Sequence, residues 1–394
     1  MERSDPVVER LQDLVAIESV NPFMDPAGSG EAGVADYLAR TLRGGGLEVE
    51  TRVVYQAAGG RPARPNVVAR LTGRARGPAL LLEAHMDTVP AVAGQADPFA
   101  PRVEGGRLHG RGACDCKGAM AAMVEALLRV ARQGERPPHD VWFLGTVDEE
   151  HTHTGIDALV REGVRGAAAV VGEPTDLAVV VAHKGAVRFR MHVHGRAAHS
   201  SRPSEGVNAI LKMAGVLRGL DERLPVRFAA RRHPRLGEPT WNAGRIAGGL
   251  QPNIVPDAAW VDIDRRLVPG ESPASALAEF REAVADIARA EADLDVRFDP
   301  PYLATDPLET PDDAAVVRAL QAAARAEGGD GRLLGVPYGT DGSRLARAGT
   351  PAVVLGPGSI DLAHSARESV PLDQVIAAVG VYERFLRAGV ERGA

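Results

Sequence analysis

Residues 141–150, VWFLGTVDEE, constrain this chain more than any other stretch. A short apolar run rich in β-branched and aromatic residues reads as a buried strand. Three carboxylates, Asp148, Glu149 and Glu150, follow it directly. Acids crowded at the end of a buried strand repel one another, and desolvation disfavours their ionised forms. A bound cation relieves both effects. On an extended backbone Glu149 and Glu150 point to opposite sides, so one can hold metal while the other faces substrate. The same residues also fit a solvated acidic corner, and the rest of the chain has to decide between the two.

Around that strand the pattern is an open α/β sheet. Asp5-Pro6 is a cap and first-turn signal for an opening helix whose apolar face is Val8, Leu11, Leu14 and Val15. Further helices are expected over 31–43, stopped by Gly44-Gly45-Gly46, and over 117–133, stopped by Gly134. Strands are expected at 47–54, 66–71, 79–84, 141–147 and 167–171. Strands alternating with helices predict a mixed, mainly parallel sheet with its site at the strand C-terminal ends. Near residue 179 the character changes. Val187, Phe189, Met191 and Val193 alternate with Arg188, Arg190, His192 and His194, the signature of a half-exposed antiparallel strand. Residues 259–266 alternate too, and helices are expected over 207–220 and 272–292. From residue 300 the α/β rhythm returns, with a helix over 312–327, a strand over 352–355 and a closing helix after Pro371. A chain of 394 residues is long for one hydrophobic core. The expected organisation is therefore a catalytic domain built from 1–178 and 299–394, interrupted by an α+β domain over 179–298.

Composition narrows the function classes. A net charge of −6 argues against nucleic acid held by bulk electrostatics. No apolar run approaches a membrane span, and the first residues lack the apolar core of a signal peptide. The cysteines, Cys114 and Cys116, are separated by one residue, which makes a poor disulfide and too few thiols for a structural zinc cage. The expectation is a cytoplasmic, reduced protein.

The chemistry-bearing residues fall at strand ends. His85 and Asp87 form a His-x-Asp turn after one strand, where a carboxylate can fix the tautomer of a metal-bound imidazole. Asp115 lies in GRGACDCKG just before a helix. Those glycines do not make a phosphate loop, because no Gly precedes Lys117 and no Ser or Thr follows it. Pro174 biases Glu173 to an extended backbone at a sheet edge, and His364 follows the loop GPGSID. His85, Asp115, Glu150, Glu173 and His364 together offer two imidazoles and three carboxylates, a set for two zinc-like ions with one bridging carboxylate. Such a pair polarises a carbonyl and lowers the pKa of water. His151, His153, His192 and His194 read as loop or solvated positions, and the two thiols as packing residues, since no histidine base lies near them in sequence.

The segments HMDTVP, GRGACDCKG, DEE, GEPT, AHKG, GRAAHSSRP and GPGSIDLAH resemble, in order, the motifs of the dinuclear zinc amidohydrolase and metallopeptidase family. That family includes acetylornithine deacetylase, succinyl-diaminopimelate desuccinylase, aminoacylase and glutamate carboxypeptidase. The resemblance implies two divalent ions per subunit, zinc foremost with cobalt or manganese as substitutes. One would be held by His85 and Glu173, the other by Glu150 and His364, with Asp115 bridging. It implies that Asp87 orients His85 and that Glu149 is the general base. It also makes the inserted block a lid and homodimerisation domain, in which His199 stabilises the oxyanion, in the family from the partner subunit, while Asn253 and Arg266 bind the substrate carboxylate. Cys116 departs from the family pattern, where Met or Thr is more frequent. The resemblance is nearest to acetylornithine deacetylases and implies amide hydrolysis of an N-acyl amino acid, in amino-acid biosynthesis. Desuccinylase, aminoacylase, dipeptidase and carboxypeptidase activities stay open, as does a non-catalytic small-acid binding protein on the same fold.

Overall fold

A computed structural model describes residues 5–134 and 136–390. The chain divides into two compact units, one made of residues up to Val181, Thr310–Leu334 and Thr340 onward, the other of Ala182–Glu309 and Gly335–Gly339.

The first unit is a mixed α/β fold. Its sheet runs in the order Glu48–Tyr55, Arg64–Leu71, Val141–Thr146, Ala79–His85, Gly166–Val171, Ala352–Val354. Four neighbouring strands at its centre, from Val141–Thr146 to Ala352–Val354, are mutually parallel, whereas Glu48–Tyr55 and Arg64–Leu71 pair antiparallel at the edge. The strand Ala79–His85 is buried at every residue, as a parallel strand covered on both faces must be. Against the sheet lies the helix Gly118–Arg132, whose residues are nearly all buried. Other helices cover its outer side: Pro6–Ala16 and Leu372–Ala388 pack on it, with Val7, Leu11, Leu14, Val375, Val379 and Tyr382 in the shared core, and its buried Glu125 pairs with Arg10 at 2.9 Å. Asp5 caps Pro6–Ala16 by accepting the Val7 N–H at 3.1 Å. A short helix, Thr154–Arg161, was not foreseen; its eight residues are too few for a clear apolar period.

In the second unit, Gly185–His194 pairs antiparallel with Ala258–Leu267, Asp295–Phe298 and Leu303–Thr305. The unit therefore reaches past residue 298 to Glu309, because Leu303–Thr305 adds to its sheet. One sheet face, with Val187, Phe189, Val261 and Ile263, packs on the helices Ala209–Ala229 and Pro273–Ala288. The other carries cross-strand ion pairs, Arg188–Asp264 at 2.6 Å and Arg190–Asp262 at 2.7 Å. The first helix continues nine residues beyond the expected stop at 220, through Pro225, because Leu224 and Phe228 extend its buried stripe. The edge strand Thr240–Gly248 is almost wholly exposed. Its glycines and lack of alternation hid it from a pattern reading. Among the described residues no helix is long and apolar enough to cross a membrane.

Candidate active site

Parallel neighbours end at the same sheet edge, and that edge gathers the acids and imidazoles. His85 is the last residue of Ala79–His85. Glu149 and Glu150 follow Val141–Thr146, Glu173 follows Gly166–Val171, and His364 closes the loop after Ala352–Val354. Asp115 comes from the tight turn Ala113–Lys117 that opens the buried helix. Gly112 makes that turn possible. Its φ is +80°, and a Cβ there would lie 2.8 Å from the Thr88 methyl.

The five expected donors converge. His85 Nε2 lies 3.0 Å from one Asp115 oxygen and 3.8 Å from Glu173 Oε1. His364 Nε2 lies 3.1 Å from the other Asp115 oxygen and 3.0 Å from Glu150 Oε1. Asp115 thus divides its two oxygens between two imidazoles, the geometry a bridging carboxylate requires. The His85 Nδ1–H is directed to the Asp87 backbone carbonyl at 2.9 Å, while the Asp87 carboxylate stands 3.5 Å away. That carboxylate instead accepts the backbone N–H groups of Glu149 at 3.1 Å and Glu150 at 3.2 Å. Asp87 therefore fixes the acidic strand end as well as the imidazole.

The acidic triplet is separated by a turn and not by strand alternation. The strand stops at Thr146, and Asp148 has φ +65°. Its fully buried carboxylate turns away from the donors and accepts from Asn21 Nδ2 at 2.9 Å, Tyr55 at 2.9 Å and Thr152. Glu149 points elsewhere, with an oxygen 3.5 Å from His153 Nδ1.

Electrostatics favour a cation here. Burial pushes the Glu173 and Glu149 carboxyls well above their usual range, and Glu150 is raised for the same reason. Burial also acts on Asp115, but hydrogen bonds with His364 and His85 outweigh it and hold that carboxyl far below the ordinary value. Hydrogen bonds with Asp115 and Glu150 push His364 up to about 10. Two imidazoles whose Nε2 atoms face carboxylate oxygens hold protons tightly when no metal is bound. They present lone pairs to a divalent ion once those protons leave. The set of nitrogen and oxygen donors fits a pair of divalent ions.

Several supporting residues escaped the sequence reading. Glu368 is buried beside Arg111, 2.5 Å from its guanidinium, and accepts the backbone N–H groups of Cys114 and Asp115 at 3.2 Å each. It therefore clamps the turn that presents Asp115. Glu368→Ala would leave the buried Arg111 charge without a carboxylate, its remaining partner being Gln95 at 2.9 Å; we expect a loss of about 3–5 kcal/mol, read as a lower denaturant midpoint. Asn21 ties Asp87 to Asp148, at 2.8 and 2.9 Å. His153, expected as a loop position, is buried and bound to Asp341 at 2.8 Å behind Glu149. His151 is a surface residue, its ring stacked on Phe23.

The remaining candidates belong to the second unit. His199 is exposed, and its Nδ1 accepts the Ser201 backbone N–H at 3.1 Å, which leaves the Nε2–H as the free donor of the neutral ring. Asn253 is exposed, and its backbone carbonyl accepts from the Ser200 N–H at 3.1 Å. Arg266 lies on the polar sheet face, paired to Asp264 at 2.7 Å. His192 and His194 alternate outward on their strand, half-buried.

Comparison with known proteins identifies the family. Residues 81–388 match the family described as Peptidase family M20/M25/M40. An acetylornithine deacetylase of Myxococcus xanthus is 34% identical over 359 residues, covering 89% of this chain and 90% of that protein. A Mycobacterium tuberculosis (strain ATCC 25618 / H37Rv) protein assigned by name to the succinyl-diaminopimelate desuccinylases is 35% identical over 350 residues, covering 86% and 91%. In fold, the chain resembles the aminopeptidase PepT of Bacillus cereus ATCC 10987, with a TM-score of 0.78, 23% identity and 97% of each chain covered. A family match running from the central strand through the closing helix, with relatives spanning nearly the whole length, makes this chain a hydrolase of peptidase family M20/M25/M40.

Proposed function

We propose that the protein is a dinuclear metal-dependent amidohydrolase that cleaves N-acyl amino acids, of acetylornithine deacetylase type, to a carboxylate and a free amino acid. The observation that carries this reading is Asp115 dividing its oxygens between His85 and His364, with Glu173 and Glu150 completing the two sets. His85 and Glu173 would hold one ion, Glu150 and His364 the other, with Asp115 shared. When bound, the ions would polarise the scissile carbonyl and make the attacking water more acidic. Glu149 takes the proton from that water as the C–O bond forms, and delivers it to the leaving nitrogen as the C–N bond breaks. His199 donates its Nε2–H to the developing oxyanion. Arg266 offers a guanidinium to the amino-acid carboxylate, with Asn253 as a second polar contact. Zinc is the expected ion, with cobalt or manganese as substitutes.

The inserted unit serves as lid and dimerisation domain in this reading. Its exposed apolar residues Leu211, Ile246 and Leu250 support that role, as does the exposed edge strand Thr240–Gly248. His199→Ala should lower kcat by roughly 10²-fold while the sedimentation coefficient stays that of a dimer. Unchanged turnover would remove His199 from the mechanism.

The deciding experiment is amine release from a panel including N-acetyl-ornithine, N-succinyl-diaminopimelate and dipeptides, on chelated and on zinc- or cobalt-reconstituted protein. Metal-restored turnover concentrated on N-acetyl-ornithine is the expected result. Turnover concentrated on the succinylated substrate or the peptides would keep the reaction and replace the substrate. Binding of a small acid with no turnover would make the protein a binding module.

A further inference from the structure

We propose that Cys116 is a ligand to the cation held by His85 and Glu173, giving that position a sulfur donor that the adjacent position lacks. The inference rests on the dinuclear reading above and concerns a residue to which that reading gives no part.

Cys116 is fully buried. Its Sγ forms one group with a His85 ring nitrogen and a Glu173 carboxylate oxygen, all within 4.8 Å of one another. A second group joins His85 to Asp115 and Glu150, so His85 stands where the sulfur-containing and oxygen-containing sets meet. Zinc bonds run about 2.3 Å to sulfur and about 2.0 Å to nitrogen or oxygen. Tetrahedral donors are then roughly 3.3–3.6 Å apart, a spacing this group reaches by settling of side chains.

Two further observations point the same way. The thiol donates to the backbone carbonyl of His85 itself at 3.4 Å, which holds the sulfur beside that imidazole. Glu173 is 5% exposed, and its carboxylate accepts no hydrogen bond among the described residues, with the His85 imidazole 3.8 Å away. A buried carboxylate left without a donor is costly, and here it faces the same space as the thiol and the imidazole. Cys114 is different. Its Sγ lies against the Ser359 carbonyl at 3.4 Å and joins no such group, so one thiol of the pair faces the donors and the other does not.

On binding, the S–H proton passes to solvent and a sulfur–metal bond replaces the S–H bond. With Asp115 at 3.0 Å from His85, the residues that would hold an ion here offer nitrogen, sulfur and the carboxylate oxygens of Glu173 and Asp115. The position around Glu150 and His364 would have nitrogen and oxygen donors only. Sulfur shifts preference toward zinc, cobalt and cadmium and away from manganese and magnesium.

The test uses the full chain loaded with zinc and, separately, with cobalt. X-ray absorption at the zinc edge should show sulfur at about 2.3 Å, averaging one sulfur for each pair of ions. The cobalt protein should show a thiolate-to-metal charge-transfer band in the near ultraviolet. Cys116→Ser should abolish the band, and Cys114→Ser should keep it. Two bound ions with only nitrogen and oxygen neighbours in the wild-type protein would overturn the sulfur ligand and leave the dinuclear reading standing. Failure to bind two ions would overturn both. If Cys116→Ser does not fold, the wild-type spectra decide the matter alone.

Discussion

Glu149→Gln should keep the metal content of the protein and lose roughly 10²–10⁴-fold in kcat, the range a positioned general base contributes. The side chain keeps its length and its place in the fold, because Glu149 is anchored through its backbone N–H to the Asp87 carboxylate at 3.1 Å. Its carboxylate lies with His153 and Asp341, apart from the groups that join His85 to Glu173 and to Glu150. A glutamine there removes none of the five donors. What disappears is a carboxylate able to take a proton from water and return it to the departing amine. The loss should therefore fall on kcat, with KM little changed. Metal analysis beside steady-state kinetics checks both halves. Near-normal turnover with full metal content would move the base elsewhere, and His153, bound to Asp341 at 2.8 Å, would be the next residue to replace.

The sequence carried the donors because each sits at the end of an apolar strand or just before a helix, a placement that local pattern exposes. His85, Glu150, Glu173 and His364 were legible for that reason, and Asp115 from the glycines around it. What pattern could not reveal was the framework behind them. Asn21 reaches Asp148 across 127 positions of chain, and Glu368 reaches the Asp115 N–H across 253. Neither carries a local signal, since any Asn or Glu in a loop reads as solvated. Asp148 had no role assigned from the sequence, where it was only the first of three adjacent acids, and a positive φ turns it into a buried hydrogen-bond network. In the second unit the alternation of residues 187–193 was plain, because one face is core and the other is charged. The edge strand Thr240–Gly248 buries too little to leave a pattern.

Removing the metals should abolish turnover and also make stability depend on pH in one direction. In the metal-free fold, burial raises Glu149, Glu150 and Glu173 above their unfolded values. A raised carboxyl contributes stability below its unfolded pKa and loses it as pH rises through the folded one. His85 is raised despite its burial, by the negative groups around it, and His364 is raised to about 10. Each favours the fold below its unfolded pKa and loses that contribution as pH climbs toward the folded value. Asp115 is depressed and acts the other way, but its contribution is lost only in strong acid. From about pH 5 to about pH 9, between the unfolded carboxylate and folded histidine ranges, the chelated protein should therefore become steadily less stable. A divalent ion takes the place of those protons, so the metal-loaded protein should change little. The gap between the two melting temperatures should widen as pH rises. At an ion concentration about 100 times its Kd the gain is about 2.7 kcal/mol per ion, or roughly 5–10 °C for a domain of this size. Calorimetry on chelated and zinc-loaded protein across that range measures it. A gap that is constant or narrows with pH would mean that the ions do not displace protons from these groups, and would remove His85, Glu150, Glu173 and His364 as their ligands.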